Sequence, residues 1–456
     1  MKTEALRTVY FLGIGGIGMS ALARYLNKAG ADVHGYDKTP TSLTAMLEAE
    51  GMKIHYEDRP DLIPEETDLI VYTPAIPENL EEFRVASSGK FRLVKRSALL
   101  GEITGGKKTL AVAGTHGKTT VSSMLAHIMY HSLAGCTAFL GGIAKNYNSN
   151  LLLKPESEYM VTEADEFDRS FLKLSPLSAV ITSVDADHLD IYHTHDLLKE
   201  SFAEFTGRVR ENGSLVIKKG LDIQTRANPG VKIYRYALNE TADFHAINLR
   251  RENGQTRYDI VTPGSTITDI APALPGLFNI ENSIAAAAIS WLNGATNEEI
   301  RAGINTFTGV KRRFDYRVIR EDTIYIDDYA HHPEELRACI QAVRELYPGK
   351  HITGIFQPHL YSRTRDFATE FGQSLSLLDR VILLEIYPAR ELPVEGVNSA
   401  MLLNKITLND KQLCLKTEIP ELINRLKPEI LLTLGAGDID QLADPITALL
   451  NRNEEK

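Results

Sequence analysis

Residues 113–120 read Ala-Gly-Thr-His-Gly-Lys-Thr-Thr, a glycine loop ending in Gly-Lys-Thr between an apolar run and a helical pattern. Strand, glycine loop and helix N-terminus together make a cradle for phosphate, because backbone N–H groups and the helix dipole face its oxygens. The cradle residues are Gly114, Thr115, His116, Gly117, Lys118, Thr119 and Thr120. Lys118 would neutralise β/γ-phosphate charge and Thr119 would place its hydroxyl on Mg2+. The common pattern G-x-x-x-x-G-K-[ST] would need glycine at position 112, where this chain has Val112. Its first glycine is Gly114, so the loop is two residues shorter and carries His116 inside. The alternative is a glycine turn capped by threonine, and the strand and helix on either side favour the phosphate reading.

Phosphoryl chemistry needs an acid near the metal, usually at a strand end. Glu163 fits, closing the strand-like Tyr159-Met-Val-Thr-Glu163, while Asp165, Glu166 and Asp168 read better as a solvated acidic turn. The next strand, 179–184, runs into Asp185-Ala-Asp187-His188-Leu-Asp190. His188 could be a ligand, a base or a helix cap, and the preference of Mg2+ for oxygen favours the cap. Near the N-terminus, Gly13-Ile-Gly15-Gly16-Ile17-Gly18 follows a strand, and Asp37 lies about 20 residues on, the spacing of a dinucleotide fingerprint. A diphosphate of NAD or of another nucleotide could rest there, or the glycines could serve strand–helix packing alone.

Asn279 and Asn282 stand at the start of an alanine-rich helix, where their amides suit an adenine edge or a helix cap. Lys311-Arg312-Arg313 reads as a solvated linker, or as an arginine that reaches a γ-phosphate when domains close. Asp327-Asp328-Tyr329-Ala-His331-His332-Pro333 and Gln357-Pro-His359-Leu360-Tyr361-Ser-Arg363-Thr-Arg365 each follow a strand, at the end where open α/β sheets bind ligands. Neighbouring histidines point apart, which argues against zinc, and Arg363 and Arg365 suit a carboxylate or phosphate.

Strand-like and helix-like segments alternate along the 456 residues, the pattern of α/β domains with mainly parallel sheets. Strands are expected at 9–12, 33–36 and 69–72, then at 323–326, 352–356, 381–384 and 430–433. The helix after the first glycine loop carries Met19, Leu22, Ala23 and Leu26 on one face. The helix after the phosphate loop carries Val121, Met124, Leu125, Ile128 and Met129. Gly105-Gly106-Lys107-Lys108 marks a boundary, 230–275 a strand-rich polar insert, and 283–292 a close-packing helix. A net charge of −10 points to neither a nucleic-acid nor a membrane surface. Cys136, Cys339 and Cys414 have no metal or disulfide spacing, which suits a reducing compartment. With no apolar run of about 18 residues and an N-terminus that reads as a strand, the expected location is the cytosol.

Gly-Thr-His-Gly-Lys-Thr-Thr, Glu-Ala-Asp-Glu at 163–166, Asp-His-Leu-Asp at 187–190, Asn-x-x-Asn at 279–282, Arg-Arg-Phe-Asp at 312–315 and Asp-Asp-Tyr-Ala-His-His-Pro at 327–333 occur in that order. Together they resemble the Mur ligases, ATP-dependent amide-bond formers of peptidoglycan precursor synthesis, over nearly the whole chain. The resemblance implies an α/β protein of three domains. These are a Rossmann-like N-terminal domain for a UDP-sugar (1–105), a central P-loop ATPase-type domain with a mainly parallel sheet (106–311), and a C-terminal Rossmann-like domain (312–456). Gly15, Gly16, Ile17, Gly18 and Asp37 would then hold UDP rather than NAD. Lys118 would meet the γ-phosphate, Thr119 and Glu163 one Mg2+, and Glu163 with His188 a second. Asn279 and Asn282 would meet adenine, Asp328 the ribose, Arg313 the transferring phosphoryl group, and His331 and Arg363 the substrates.

Within the family, Gly-Ile-Gly-Gly-Ile-Gly-Met-Ser-Ala-Leu-Ala at 13–23, Phe-Gln-Pro-His at 356–359 and Tyr-Pro-Ala-Arg-Glu at 387–391 imply a specific pair of substrates. These are L-alanine and the lactyl carboxylate of UDP-N-acetylmuramate. A ligase that recycles murein tripeptide is the alternative. An NAD-dependent oxidoreductase, a non-catalytic nucleotide switch and a folate polyglutamylating enzyme are rivals of other kinds. The chain departs from the usual pattern at Thr73-Pro74, at Phe167 and at Leu360, where arginine is common.

Overall fold

A computed structural model describes residues 6–187, 189–252, 255–389 and 391–452. Met1–Ala273 with Ile280–Thr308 form one compact unit, and Leu274–Asn279 with Gly309–Lys456 another. The first unit carries two sheets. One is wholly parallel, ordered Lys53–His55, Asp32–Tyr36, Thr8–Leu12, Leu69–Tyr72, Leu93–Lys95. Strand order reverses at Thr8–Leu12, so the glycine loop that follows it lies at a topological switch point, where such sheets bind ligands. Val9 and Phe11 enter one apolar cluster and Tyr10 and Leu12 another, so this strand is buried on both faces.

Gly16 precedes the helix Ile17–Lys28, whose buried stripe includes Met19, Leu22, Ala23 and Leu26. Arg24 is buried in the same helix. It pairs with Glu50 at 2.7 Å and donates to Asn150 Oδ1 at 2.5 Å. Asn150 donates in turn to Ile17 O and Ser20 Oγ. This helix therefore docks on the hairpin Thr137–Ala144 and Ser149–Leu152 of the second sheet, with the Tyr25 and Phe139 rings 5.3 Å apart. One apolar core runs from Val9 and Leu22 through Phe139 to Phe202.

The second sheet has ten strands. Its order is Thr266–Ile270, Gln255–Val261, Phe244–Glu252, Lys232–Ala237, Ser214–Lys218, Ser178–Ile181, Lys108–Ala113, Tyr159–Ala164, Thr137–Ala144, Ser149–Leu152. The interior is parallel and the two edges antiparallel. The polar insert forms one edge. Lys108–Ala113 lies in the interior, and Val112 is fully buried there, opposite Glu163 on one neighbour and Val180 on the other. Val112 is thus a strand residue, which explains why the phosphate loop opens only at Gly114. The alanine-rich helix runs Leu277–Leu292, starting earlier than the expected 283. Asn279 and Asn282 are inside it, so neither is its cap.

The second unit holds a six-stranded sheet, ordered Asp315–Ile319, Ile324–Asp328, Ile430–Leu434, Ile352–Phe356, Arg380–Leu383, Lys411–Leu413. Only the Asp315–Ile319 edge is antiparallel. Among the described residues no helix is long and apolar enough to cross a membrane.

Candidate active site

The phosphate loop is shaped by two glycines and braced from the neighbouring strand. Gly114 (φ +136°) lies so close to Thr182 that a Cβ would stand 2.1 Å from its Oγ1. Gly117 (φ +83°) is the residue before the helix Lys118–His131 and supplies no side-chain cap. The first-turn N–H groups of Lys118, Thr119 and Thr120 are those of an open helix N-terminus. Thr115 N–H donates to Ser183 O, His116 N–H to Ser183 Oγ at 2.7 Å, and Thr182 Oγ1 to His116 O at 2.5 Å. The His116 ring reaches to 3.8 Å from Asp185. Asn282 borders the same turn, its Oδ1 2.9 Å from where a Gly117 Cβ would be. Asn279 is buried, and its Nδ2 donates to Pro275 O at 2.7 Å.

Lys118 folds back over its own loop. Its Nζ donates to Gly114 O at 2.6 Å and lies 2.8 Å from the Glu166 carboxylate. Burial pulls the Lys118 pKa down, but Glu166, Asp165 and Glu163 together hold it above the ordinary lysine value, so the group stays a cation. Glu166 corrects the expectation of a solvated acidic turn: its side chain is fully buried. Asp165 and Asp168 instead pair with Arg96 and Lys95, where the strand Leu93–Lys95 gives way to a helix. The pairing of Glu166 depends on the parallel alignment of Tyr159–Ala164 with Lys108–Ala113, which the local run of acids does not encode.

Glu163 is the penultimate residue of Tyr159–Ala164, the strand beside the loop. Its Oε1 accepts from Ser122 Oγ at 3.2 Å and from Gly141 N–H at 3.1 Å. Ser122 Oγ also contacts Thr119 O at 3.2 Å, so one hydroxyl joins the first helical turn to the acid. Hydroxyl and carboxylate oxygens are the donors that a hard divalent cation prefers. His188, expected beside them, lies outside the described residues.

At the N-terminal glycine loop, Asp37 Oδ2 accepts from Gly15 N–H at 2.8 Å, and Tyr36 O accepts from the N–H groups of Gly13 and Ile14. Gly15, Gly16, Ile17 and Gly18 thus lie at the switch point with Asp37. Ile76 closes toward Gly13 from the turn after Leu69–Tyr72, the turn that Thr73 and Pro74 open.

In the second unit, Arg312 (φ +62°) and Phe314 (φ +48°) are left-handed on either side of Arg313. The Arg312 and Arg313 guanidinium carbons lie 5.0 and 4.8 Å from the Tyr329 ring centroid. Asp328 accepts from Phe314 N–H at 2.6 Å and Ala330 N–H at 2.7 Å. Removal from water pushes its carboxyl up to about 6 against the pull of Arg313 and those two amides. His331 lies 3.2 Å from Glu335, whereas His332 caps the helix Pro333–Leu346, so the adjacent histidines have different jobs. Arg363 is buried in Tyr361–Asp366, and Leu360 (φ +69°) is buried just before it.

Three family models match the chain. They are the Mur ligase family catalytic domain over 8–108, the Mur ligase middle domain over 112–290, and the Mur ligase glutamate ligase domain over 312–437. The chain is 51% identical to UDP-N-acetylmuramate–L-alanine ligase of Parabacteroides distasonis, over 100% of both. It is similar to the crystal structure of UDP-N-acetylmuramate-alanine ligase from Thermotoga maritima, with TM-score 0.82, 25% identity, and 98% and 99% of the two chains covered. Its fold is also similar to that of a murein peptide ligase from Psychrobacter arcticus, with TM-score 0.73, 20% identity, and 97% and 98% covered. The motifs, the three sheets and these full-length matches agree: the chain belongs to the Mur ligase family.

Proposed function

We propose that this protein uses ATP to join L-alanine to the lactyl carboxylate of UDP-N-acetylmuramate, a step of peptidoglycan precursor synthesis that releases ADP and phosphate. The observation that carries the reading is 51% identity along the full chain to a ligase of that name. The chemical problem is that a carboxylate is a poor electrophile. Transfer of the γ-phosphoryl group to a carboxylate oxygen makes an acyl phosphate. The alanine amine then attacks the carbonyl carbon, a tetrahedral oxyanion forms, and its collapse expels phosphate.

The roles of individual side chains are part of the same proposal. The open helix N-terminus at Gly117 and the Lys118 ammonium receive the ATP phosphates. Asn279 and Asn282 meet the adenine and Asp328 the ribose. Arg313, seated over the Tyr329 ring, spreads charge on the transferring group. Gly15, Gly16, Ile17, Gly18 and Asp37 take the UDP-sugar, and His331 and Arg363 the reacting substrates. Thr119 and Glu163, with His188, would hold Mg2+, which when bound neutralises phosphate charge. The sugar-nucleotide, ATPase and closing functions are assigned to 1–105, 106–311 and 312–456.

Product mass spectrometry tests the reading. Incubation with ATP and UDP-N-acetylmuramate should give the alanyl product from L-alanine. Product from murein tripeptide but not from alanine would favour the recycling reaction instead. Glycine and L-serine measure how sharply the small side chain is read.

A further inference from the structure

Beside the N-terminal glycine loop lies a largely buried cluster of three ionisable groups that the reaction does not use. Tyr10 and Glu82 are fully buried, and His55 stands beside them. His55 Nε2 is 2.6 Å from the Tyr10 hydroxyl, and the same oxygen is 2.5 Å from Glu82 Oε2. His55 Nδ1 is 2.8 Å from Glu57 O. Arg59 N–H donates to Glu82 Oε1 at 2.8 Å.

Counting protons constrains the cluster. A carbonyl only accepts, so Nδ1 of His55 carries hydrogen. The phenol has one hydrogen and two short contacts. If it donates to Glu82, Nε2 must donate to the phenol, and the pair is imidazolium with carboxylate. If it donates to Nε2, Glu82 must be protonated and donate to the phenol. Both arrangements hold one proton more than a neutral imidazole beside an ionised carboxylate. Losing it leaves one short contact without hydrogen and a buried carboxylate held by neutral donors alone. Burial pushes the Glu82 carboxyl above its ordinary range, and burial with the Glu82 contact keeps the phenol protonated.

The cluster adjoins the ligand loop through main-chain bonds. Asp37 N–H donates to His55 O at 3.1 Å, and Asp37 Oδ2 receives Gly15 N–H. Tyr10 lies on the strand that feeds Gly13, and its neighbour Tyr36 packs on the His55 ring. The other ionisable groups facing the cluster are Tyr36 from the adjacent strand, and Asp58 and Asp61 from the segment after His55. Asp58 itself accepts from the N–H groups of Glu81 and Glu82.

We propose that Glu82, Tyr10 and His55 share one proton and act as positioning residues that hold Asp37 against the Gly15 amide, so that losing the proton weakens sugar-nucleotide binding. This rests on the reading that the loop takes the UDP-sugar. In the wild type, KM for UDP-N-acetylmuramate should rise as rising pH removes the shared proton. Glu82→Gln supplies a permanent N–H donor to the phenol, so KM should stay within about twofold of wild type at neutral pH and lose that pH dependence. His55→Leu should raise KM by about fivefold with kcat little changed. Identical KM–pH profiles for wild type and Glu82→Gln would overturn the proposal. Nitrogen NMR of His55 and the infrared carboxyl stretch decide the proton count in the unaltered protein. A neutral imidazole beside an ionised Glu82 at neutral pH would also overturn it. Asp37→Ala with unchanged KM would instead refute the loop as the sugar-nucleotide site, a result on which the proton count does not depend.

Discussion

The Lys118 ammonium is bound 2.8 Å from the carboxylate of Glu166, a residue wholly shielded from solvent. The lysine that the proposal assigns to ATP is therefore held by an internal anion, and phosphate oxygens would take over as its partner. Glu166→Gln removes that anion and leaves a poorly solvated cation, which should cost about 3 kcal/mol of stability. ATP should restore more melting temperature to this variant than it adds to the wild type. Equal ATP-induced shifts would contradict the exchange of partners. Lys118→Ala should lower kcat at least about a hundredfold with the fold intact by circular dichroism.

Gly141 leaves room for Glu163. A Cβ at this position would stand 2.2 Å from Glu163 Oε1, so Gly141→Ala must displace the carboxylate. Displacement of that size should lower kcat at least about tenfold, approaching the roughly hundredfold loss expected of Glu163→Ala. Titrating turnover with Mg2+ checks the cause: the apparent Mg2+ requirement should rise in both variants. Unchanged turnover in Gly141→Ala would remove Glu163 from the site.

Arg312 and Arg313 flank one ring but differ in their other bonds. Arg312 donates to Gly435 O at 2.6 Å and lies 3.5 Å from buried Asp327, so Arg312→Lys should lower the melting temperature. Arg313 is 3.9 Å from Glu335 at its nearest charged partner. Arg313→Lys keeps the charge but loses the planar fork, and should lower kcat by about tenfold or more with little change in melting. Paired melting curves and turnover rates separate the two, and the reverse pattern would refute the division of labour.

Asp328 predicts a pH dependence. Its carboxyl, raised to about 6 mainly by removal from water, binds more protons in the folded than in the unfolded chain between about pH 4 and 6. Its contribution to stability is thus complete below about pH 4 and is lost as pH rises through about 6. Asp328→Asn should flatten that part of the stability–pH curve, as read by urea unfolding at a series of pH values. An unchanged slope would show that Asp328 does not carry it.

Features set by local pattern were legible from the residues alone. The phosphate loop, the stripe Val121–Met124–Leu125–Ile128–Met129 and most sheet strands follow from glycine placement and hydrophobic period. Val112 was legible as an absent glycine, and its strand pairing supplies the reason. Contacts across long sequence separations were not. Glu166 reads as one acid among several until the strand beside it sets its position. Arg24 meets Asn150 across 126 residues and Tyr10 meets Glu82 across 72, and no local period announces either pair. The helix start at Leu277 is hidden in the sequence because Gly276 and the polar Asn279 and Asn282 break the apolar pattern of its first turns.

Phosphate release reports on the whole coupled reaction, measured with ATP alone and after adding UDP-N-acetylmuramate, L-alanine or both. Fast release is expected only when all three are present, with one phosphate for each alanyl product. Release that is independent of L-alanine, or absent with the full set, would contradict the proposed reaction.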